Sequence, residues 1–126
     1  MDYKNYNSIA LAFLGDAVYE RFIRERILRH GSVGADKMHR EAVRYVKAAA
    51  QEHALRVMAD GLTEDEADVV RRARNHRITS KPKNADPLTY KMATAFEALL
   101  GYLYLDGQEE RLQTLMEQAA QIVEEG

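Results

Sequence analysis

Cysteine is absent from the sequence, and proline occurs only twice. Without cysteine the chain has no disulfide, no thiolate zinc site and no thiol nucleophile, a composition that suits a reducing cytosol. No apolar run approaches the roughly 18 residues that a membrane span needs, and the polar start MDYKNYN lacks a signal-peptide pattern. We therefore expect a soluble, cytoplasmic protein, and the length of 126 residues predicts one domain over residues 1–126.

Several common catalytic and binding motifs are absent as well. The four histidines are scattered without the spacing of a metal site, and the chain has neither a G-x-x-x-x-G-K nor a G-x-G-x-x-G phosphate loop. None of the three serines has the context of a nucleophile elbow. The acidic run TEDEAD at residues 63–68 needs no functional explanation, because the helix dipole favours acids in a first turn.

Helix signals dominate the sequence, and no segment alternates with the period of two that is typical of a strand. Candidate N-caps occur at Ser8, Asp36, Thr63 and Asp86. Glu66 completes a capping box with Thr63, and a first-turn proline follows Asp86. The pattern predicts an all-α fold with helices over residues 8–30, 36–59, 64–74, 88–105 and 108–124. The segment over residues 75–87, which holds both prolines, is predicted to be a loop.

Two of the predicted helices carry one acid and one glycine inside an otherwise apolar run. The stretch SIALAFLGDAVYERFI contains Gly15 and Asp16, and the stretch TAFEALLGYLYL contains Glu97 and Gly101. A glycine inside a helix costs roughly 1 kcal/mol relative to alanine, so a packing reason is expected for each. Glycines on facing stripes allow two helix backbones to approach closely. We therefore predict that these helices form a central pair and that Glu97 lies near Asp16.

Two carboxylates held together in a partly dry site repel each other, which favours a shared proton or a bound cation. A hard divalent ion such as Mg²⁺ prefers oxygen ligands and keeps several waters, so Asp16 and Glu97 are candidate metal ligands. Two alternatives stay open on spacing alone: the acids lie on solvent-facing edges, or they pair with Arg21 or Arg24. Glu20, one turn after Asp16, is either an outer ligand of the metal or an ordinary salt-bridge partner.

A basic segment precedes the second of these helices. Residues 71–91 hold seven basic and one acidic side chain, a local charge of +6. Residues 92–126 hold one basic and seven acidic side chains, a local charge of −6, although the net charge of the whole chain is only −2. Side chains of this kind suit the phosphate and 2′-hydroxyl contacts by which double-stranded RNA is recognised; a solvated basic loop is the alternative. The candidate RNA-binding residues are Arg72, Arg74, Asn75, Arg77, Ser80, Lys81, Lys83 and Asn84.

The motifs LAFLGDAVYE and ATAFEALLGYLYLD, in this order and at this separation, resemble the two signature helices of the ribonuclease III catalytic domain. The intervening RARN and KPKN stretches make the resemblance closest to the Mini-ribonuclease III family, which lacks a separate double-stranded-RNA-binding domain. The resemblance implies a helical bundle of the ribonuclease III endonuclease type, acting as a homodimer. It further implies Mg²⁺-dependent cleavage of double-stranded RNA and trimming of precursor 23S ribosomal RNA, with Asp16 and Glu97 as the catalytic and metal-binding acids.

The sequence departs from full-length ribonuclease III at two acidic positions. Ala12 stands where a glutamate is expected, and Thr94 where an aspartate is expected. The minimal family shares this reduced set, which leaves the number of metal ions open and makes Thr94, with Glu20, a candidate for the outer ligand shell. Without a second RNA-binding domain, a substrate that carries a bound ribosomal protein is a reasonable partner. The alternative functions are a non-catalytic RNA-binding or dimerisation module on the same fold and a helical interaction protein.

Overall fold

The computed structural model describes residues 1–77 and 82–126, and within these ranges the regular structure is entirely helical. The α-helices are α1 (Ser8–Arg29), α2 (Ala35–Val46), α3 (Ala48–Met58), α4 (Glu64–Arg74), α5 (Pro87–Leu105) and α6 (Glu109–Glu125). Short 3₁₀ turns precede α1 and follow α3. The prediction of an all-α fold is confirmed. No helix of the described part is long and apolar enough to cross a membrane.

Most helix ends follow the signals in the sequence. Thr63 and Glu66 form the predicted capping box at the start of α4, with hydrogen bonds in both directions. The Asp86 side chain caps α5 by accepting from the backbone N–H of Thr89, and Pro87 occupies the first turn. After α5 the chain turns at Gly107, whose φ of 74° favours glycine. These local signals depend on neighbouring residues alone, which is why the sequence carries them clearly.

Three predicted boundaries are wrong. Gly34, and not Asp36, occupies the N-cap of α2, and Asp36 lies in the first turn. Asn7, and not Ser8, caps α1, because its side chain accepts from the backbone N–H of Ala10. The predicted helix over residues 36–59 is two helices, since Lys47 adopts extended backbone at ψ 151° and interrupts it. The Lys47 carbonyl accepts from the N–H groups of Ala50 and Gln51 and so begins α3 in a new direction. The alanine run that follows Lys47 gives no sequence signal for this bend.

The helices α1 and α5 make the most extensive contact in the molecule, as predicted for the central pair. A Cβ built on Gly15 would overlap the backbone carbonyl of Glu97 and lie 3.0 Å from the Gly101 nitrogen. A Cβ on Gly101 would overlap the carbonyl of Leu11 and lie 3.2 Å from the Gly15 nitrogen. Both glycines are therefore required by the same backbone contact, and the other helices pack around this pair.

Ionic contacts attach α6 to the rest of the bundle. Arg26 of α1 donates to Glu124 at 2.8 and 2.9 Å and to Glu117 at 2.7 Å, and the Tyr45 hydroxyl of α2 donates to Glu124 at 2.6 Å. The Arg26 guanidinium and the Tyr45 hydroxyl hold the pKa of Glu124 at about 2, against the opposing effect of partial burial. The end of α6 is thereby fixed against α1 and α2 by charged hydrogen bonds.

Candidate active site

The carboxyl groups of Asp16 and Glu97 meet beside the contact of α1 and α5. Asp16 follows Gly15 directly, and the carbonyl of Glu97 is the atom nearest to the Gly15 position. The same close approach that excludes a side chain at Gly15 therefore places the two acids side by side. Their carboxyl groups lie within hydrogen-bonding range, Asp16 at the exposed edge and Glu97 partly buried.

The surroundings of Glu97 disfavour its ionisation. Burial raises its pKa first, the hydrogen bond to Asp16 and the charge of Asp16 raise it further, and the charge of Glu20 adds to this, so that the pKa of Glu97 reaches about 8. A hydrogen bond from the Gln51 side chain acts in the opposite direction. At neutral pH Glu97 of the metal-free site is therefore protonated.

Gln51 belongs to this site and was missed by the sequence-based prediction. Its side chain is only 3% exposed and reaches Glu97 from the first turns of α3. The break at Lys47 precedes this contact, because α3 begins at the next residue and the Gln51 N–H donates to the Lys47 carbonyl. One signal was available: Gln51 shares a buried stripe with Ala54 and Leu55, and a polar residue on such a stripe needs a partner.

The structure shows which acids the nearby Arg21 and Arg24 pair with. Arg21 pairs with Glu25 at 3.2 Å and Arg24 with Glu20 at 3.2 Å. Neither Asp16 nor Glu97 forms an ion pair with a basic side chain in the described ranges. Glu20 is thus a salt-bridge partner that also acts on Glu97 through its charge. The Thr94 hydroxyl donates to the carbonyl of Tyr90 at 2.9 Å, on its own helix.

The donor set fits a hard divalent cation bound by few protein ligands. No group of three or more histidine, cysteine or acidic side chains within residues 1–77 and 82–126 is arranged to hold a metal ion. The site instead offers two carboxyl groups that repel each other and the amide of Gln51 beside them. Two carboxylates with the remaining positions filled by water is the arrangement that Mg²⁺ accepts. The residues present are therefore suited to such an ion.

The described parts of the basic segment, residues 71–77 and 82–91, include the end of α4 and the start of α5. The exposed members of the predicted RNA-binding set are Arg74, Asn75, Arg77, Lys83 and Asn84, the last with a φ of 71°. Ser80 and Lys81 lie outside the described residues. Arg72 differs from the rest, because its guanidinium donates to the backbone carbonyls of Lys4 and Asn5 and so holds the N-terminal 3₁₀ turn against α4.

Comparison with known proteins shows which family this chain resembles in sequence and in fold. Residues 9–108 match the ribonuclease III domain family. The chain is 52% identical to the Mini-ribonuclease 3 of Symbiobacterium thermophilum, over 94% of this chain and 91% of that protein. It is 43% identical to the Mini-ribonuclease 3 of Streptococcus pneumoniae, over 98% of each chain. A crystal structure of a protein from Fusobacterium nucleatum superimposes with a TM-score of 0.85 at 30% identity, covering 95% of this chain and 96% of that one.

The match to the ribonuclease III domain and the Mini-ribonuclease 3 relatives thus define an endoribonuclease of the ribonuclease III type. Within that class the chain belongs to the Mini-ribonuclease III family, since the similarity to these relatives extends over nearly the whole of both sequences. The resemblance seen in the two signature helices is confirmed.

Proposed function

We propose that this protein cleaves double-stranded RNA in a Mg²⁺-dependent reaction and that its substrate is precursor 23S ribosomal RNA in the cytoplasm. The observation that carries the proposal is the Asp16–Glu97 pair, which brings two acids together at a cost in charge repulsion. Folding alone gains nothing from this arrangement, because two adjacent carboxyl groups destabilise the charged form of each other. A bound cation removes the cost, and membership of the Mini-ribonuclease III family supports RNA as the substrate.

The residues of the site have separate tasks in this proposal. Asp16 and Glu97 hold the Mg²⁺ ion, which when bound activates a water molecule and stabilises the departing 3′-oxygen of the phosphodiester. Glu97 must release its proton for this, and the Gln51 hydrogen bond favours the ionised form. No nucleophilic side chain is needed. Arg74, Arg77 and Lys83 are exposed and positively charged, and they are proposed to contact RNA phosphates.

A homodimer is proposed because α1 leaves a large aromatic side chain uncovered. Phe13 is 85% exposed and Ile9, one turn earlier, is about half exposed. These residues stand next to the Gly15–Asp16 site in the sequence, on the helix that also forms the centre of the bundle. A second copy of the chain is the proposed cover for this apolar face. Two copies would supply two sites, one for each strand of a duplex.

The alternative from a different class is a non-catalytic RNA-binding or dimerisation module. It is supported by Ala12 and Thr94, which stand where full-length ribonuclease III is expected to have acids. The Asp16–Glu97 pair argues against it, because a module without catalysis has no use for two acids that repel each other.

The deciding experiment incubates the protein with a duplex RNA and with the same duplex carried in precursor 23S RNA. Wild-type protein is expected to cut in Mg²⁺ and not in EDTA, while Asp16→Asn and Glu97→Gln bind the RNA without cutting it. Asp60→Asn is the matched control, since Asp60 is an exposed acid in the turn after α3. Binding without Mg²⁺-dependent cleavage by the wild-type protein would establish the non-catalytic module instead.

A further inference from the structure

A polar cleft lies where the start of α1 meets the end of α4. It has a volume of about 380 Å³, and its walls are Asn7, Ser8, Arg71, Arg72, Asn75 and His76. No acidic side chain is among these residues. The lining thus includes two arginines, two asparagines, a serine and a histidine, and each of these side chains can donate a hydrogen bond to a ligand in the cleft.

Ser8 is the residue that points to a ligand. Four polar residues of the described ranges are buried: Ser8, Ser32, Gln51 and Glu66. Ser32 donates to Glu41, Gln51 donates to Glu97 and Glu66 accepts from Arg111. Ser8 is 5% exposed, lines the cleft and has no hydrogen-bond partner for its hydroxyl within the part of the chain that the structure describes. Every fully buried side-chain polar atom of that part has a partner. The unpartnered Ser8 hydroxyl is therefore not fully buried, and it opens into the cleft that Ser8 lines.

The charges around the cleft favour an anion. The first turn of α1 contributes the positive end of a helix dipole. The first backbone N–H groups of a helix have no partner within it, and here that of Ala10 donates to the Asn7 side chain. Arg71 pairs with Asp68 at 2.8 Å and retains further N–H donors, and its side chain stays more than half exposed. Arg72 uses part of its guanidinium on the carbonyls of Lys4 and Asn5, which fixes it as one wall.

We propose that this cleft binds one phosphodiester group of the RNA duplex, with Ser8 and Arg71 as its principal donors. The proposal rests on the proposed function, because it takes RNA as the ligand. Ser8 lies eight residues before Asp16 on the same helix, a separation of about 12 Å along the axis and about 80° around it. The cleft would hold the strand at a fixed distance from the carboxyl pair.

The test measures binding of a labelled RNA duplex by fluorescence anisotropy over a range of salt concentrations, with Asp16→Asn present in every protein to prevent cutting. Arg71→Ala is expected to weaken binding about tenfold and to reduce the salt slope by about one phosphate contact. Ser8→Ala is expected to weaken binding about threefold with an unchanged slope, because a hydroxyl carries no charge. Arg40→Ala is the control, as Arg40 is exposed on α2, which packs beside the other end of α1.

A second arm separates bound RNA from free phosphate. If inorganic phosphate raises the melting temperature of the wild-type protein but not of Arg71→Ala, while both bind RNA equally, the cleft is a site for free anions and the RNA proposal is overturned. If Ser8→Ala and Arg71→Ala bind RNA as tightly as the wild type, the proposal that the cleft binds RNA is overturned. If the chain that retains Asp16 still cleaves the duplex in that case, the proposed function is unaffected. A wild-type chain that neither binds nor cuts the duplex overturns both.

Discussion

Gly15 of α1 lies directly against the backbone carbonyl of Glu97 in α5, so closely that no side chain fits at residue 15. The contact joins packing to chemistry, since Asp16 is the next residue and its carboxyl meets that of Glu97. The reciprocal contact, Gly101 against the carbonyl of Leu11, holds the same two helices one turn away. A change at either glycine therefore acts on the stability of the bundle and on the geometry of the site together.

Gly15→Ala is expected to lower the free energy of unfolding by about 3 kcal/mol or more, because the new Cβ meets backbone that cannot move without separating α1 and α5. Urea unfolding measures this. Gly61→Ala is the matched control: a Cβ there has open space within 4 Å, so the effect should stay within about 1 kcal/mol. Equal stability of Gly15→Ala and wild type would show that the helices can separate without cost.

The central pair of helices, α1 and α5, could be predicted from the sequence because each of them carries an unusual glycine and acid within its own apolar run. One glycine and one acid in an apolar run contradict helix propensity, and the contradiction appears in both halves of the pair. The capping box at Thr63 and the cap at Asp86 were equally visible, since each depends on residues within one turn. What these signals share is that no tertiary contact is needed to interpret them.

Gln51 and Arg72 show what the sequence does not reveal. The contact of Gln51 with Glu97 depends on the bend at Lys47, and an alanine run favours a continuous helix there. Arg72 lies in a basic segment and was assigned to RNA, yet its guanidinium holds the carbonyls of Lys4 and Asn5, 68 and 67 residues away. Both depend on how distant segments meet, and composition carries no such information.

The raised pKa of Glu97 predicts that the metal-free protein loses stability as the pH rises. Between the ordinary value of 4.5 and about 8 the folded chain binds one proton more than the unfolded chain, so the free energy of unfolding falls by about 1.4 kcal/mol per pH unit from this group. Glu97→Gln removes the group and should flatten this part of the profile. The measurement is urea unfolding in EDTA from pH 5 to 9, read as the difference between the two proteins.

Addition of Mg²⁺ provides the control for this profile. A cation that binds the ionised pair should restore the stability of the wild-type protein at pH 8 and leave Glu97→Gln unchanged. Parallel profiles of the two proteins in EDTA would contradict the raised pKa of Glu97.

The lowered pKa of Glu124 predicts that the protein loses stability as the pH falls into the acidic range. Arg26 and Tyr45 lower its pKa to about 2, so the unfolded chain takes up the proton first and the stabilisation disappears as the pH falls from about 4.5 to 2. At pH 7 Glu124→Gln should cost about 2 kcal/mol, after discounting for the partial exposure of the pair. Thermal unfolding at pH 7 and pH 2.5 measures the loss and its disappearance. Glu125→Gln, the exposed neighbour, should change neither value.

Phe13→Ser is expected to weaken the proposed homodimer by at least about a hundredfold. Phe13 is 85% exposed in the single chain, and a two-fold interface would bury it once in each copy, so every substitution counts twice. Light scattering after size exclusion, over a series of protein concentrations, measures the dissociation. Val33→Ser is the control, because Val33 is 77% exposed in the connection between α1 and α2. A monomeric wild-type protein would refute the homodimer itself.

The double variant Arg77→Ala/Lys83→Ala is expected to weaken duplex RNA binding and to reduce its salt dependence by about two phosphate contacts. Both side chains are exposed, Arg77 shortly after α4 and Lys83 shortly before α5. Each phosphate contact contributes a fixed increment to the slope of log K against log salt. The matched control is Lys37→Ala/Arg40→Ala, which removes one lysine and one arginine from the exposed face of α2. Binding is measured by anisotropy in Ca²⁺ with Asp16→Asn present in all proteins. If the two double variants lose the same slope, RNA is attracted by total charge and not by the basic segment.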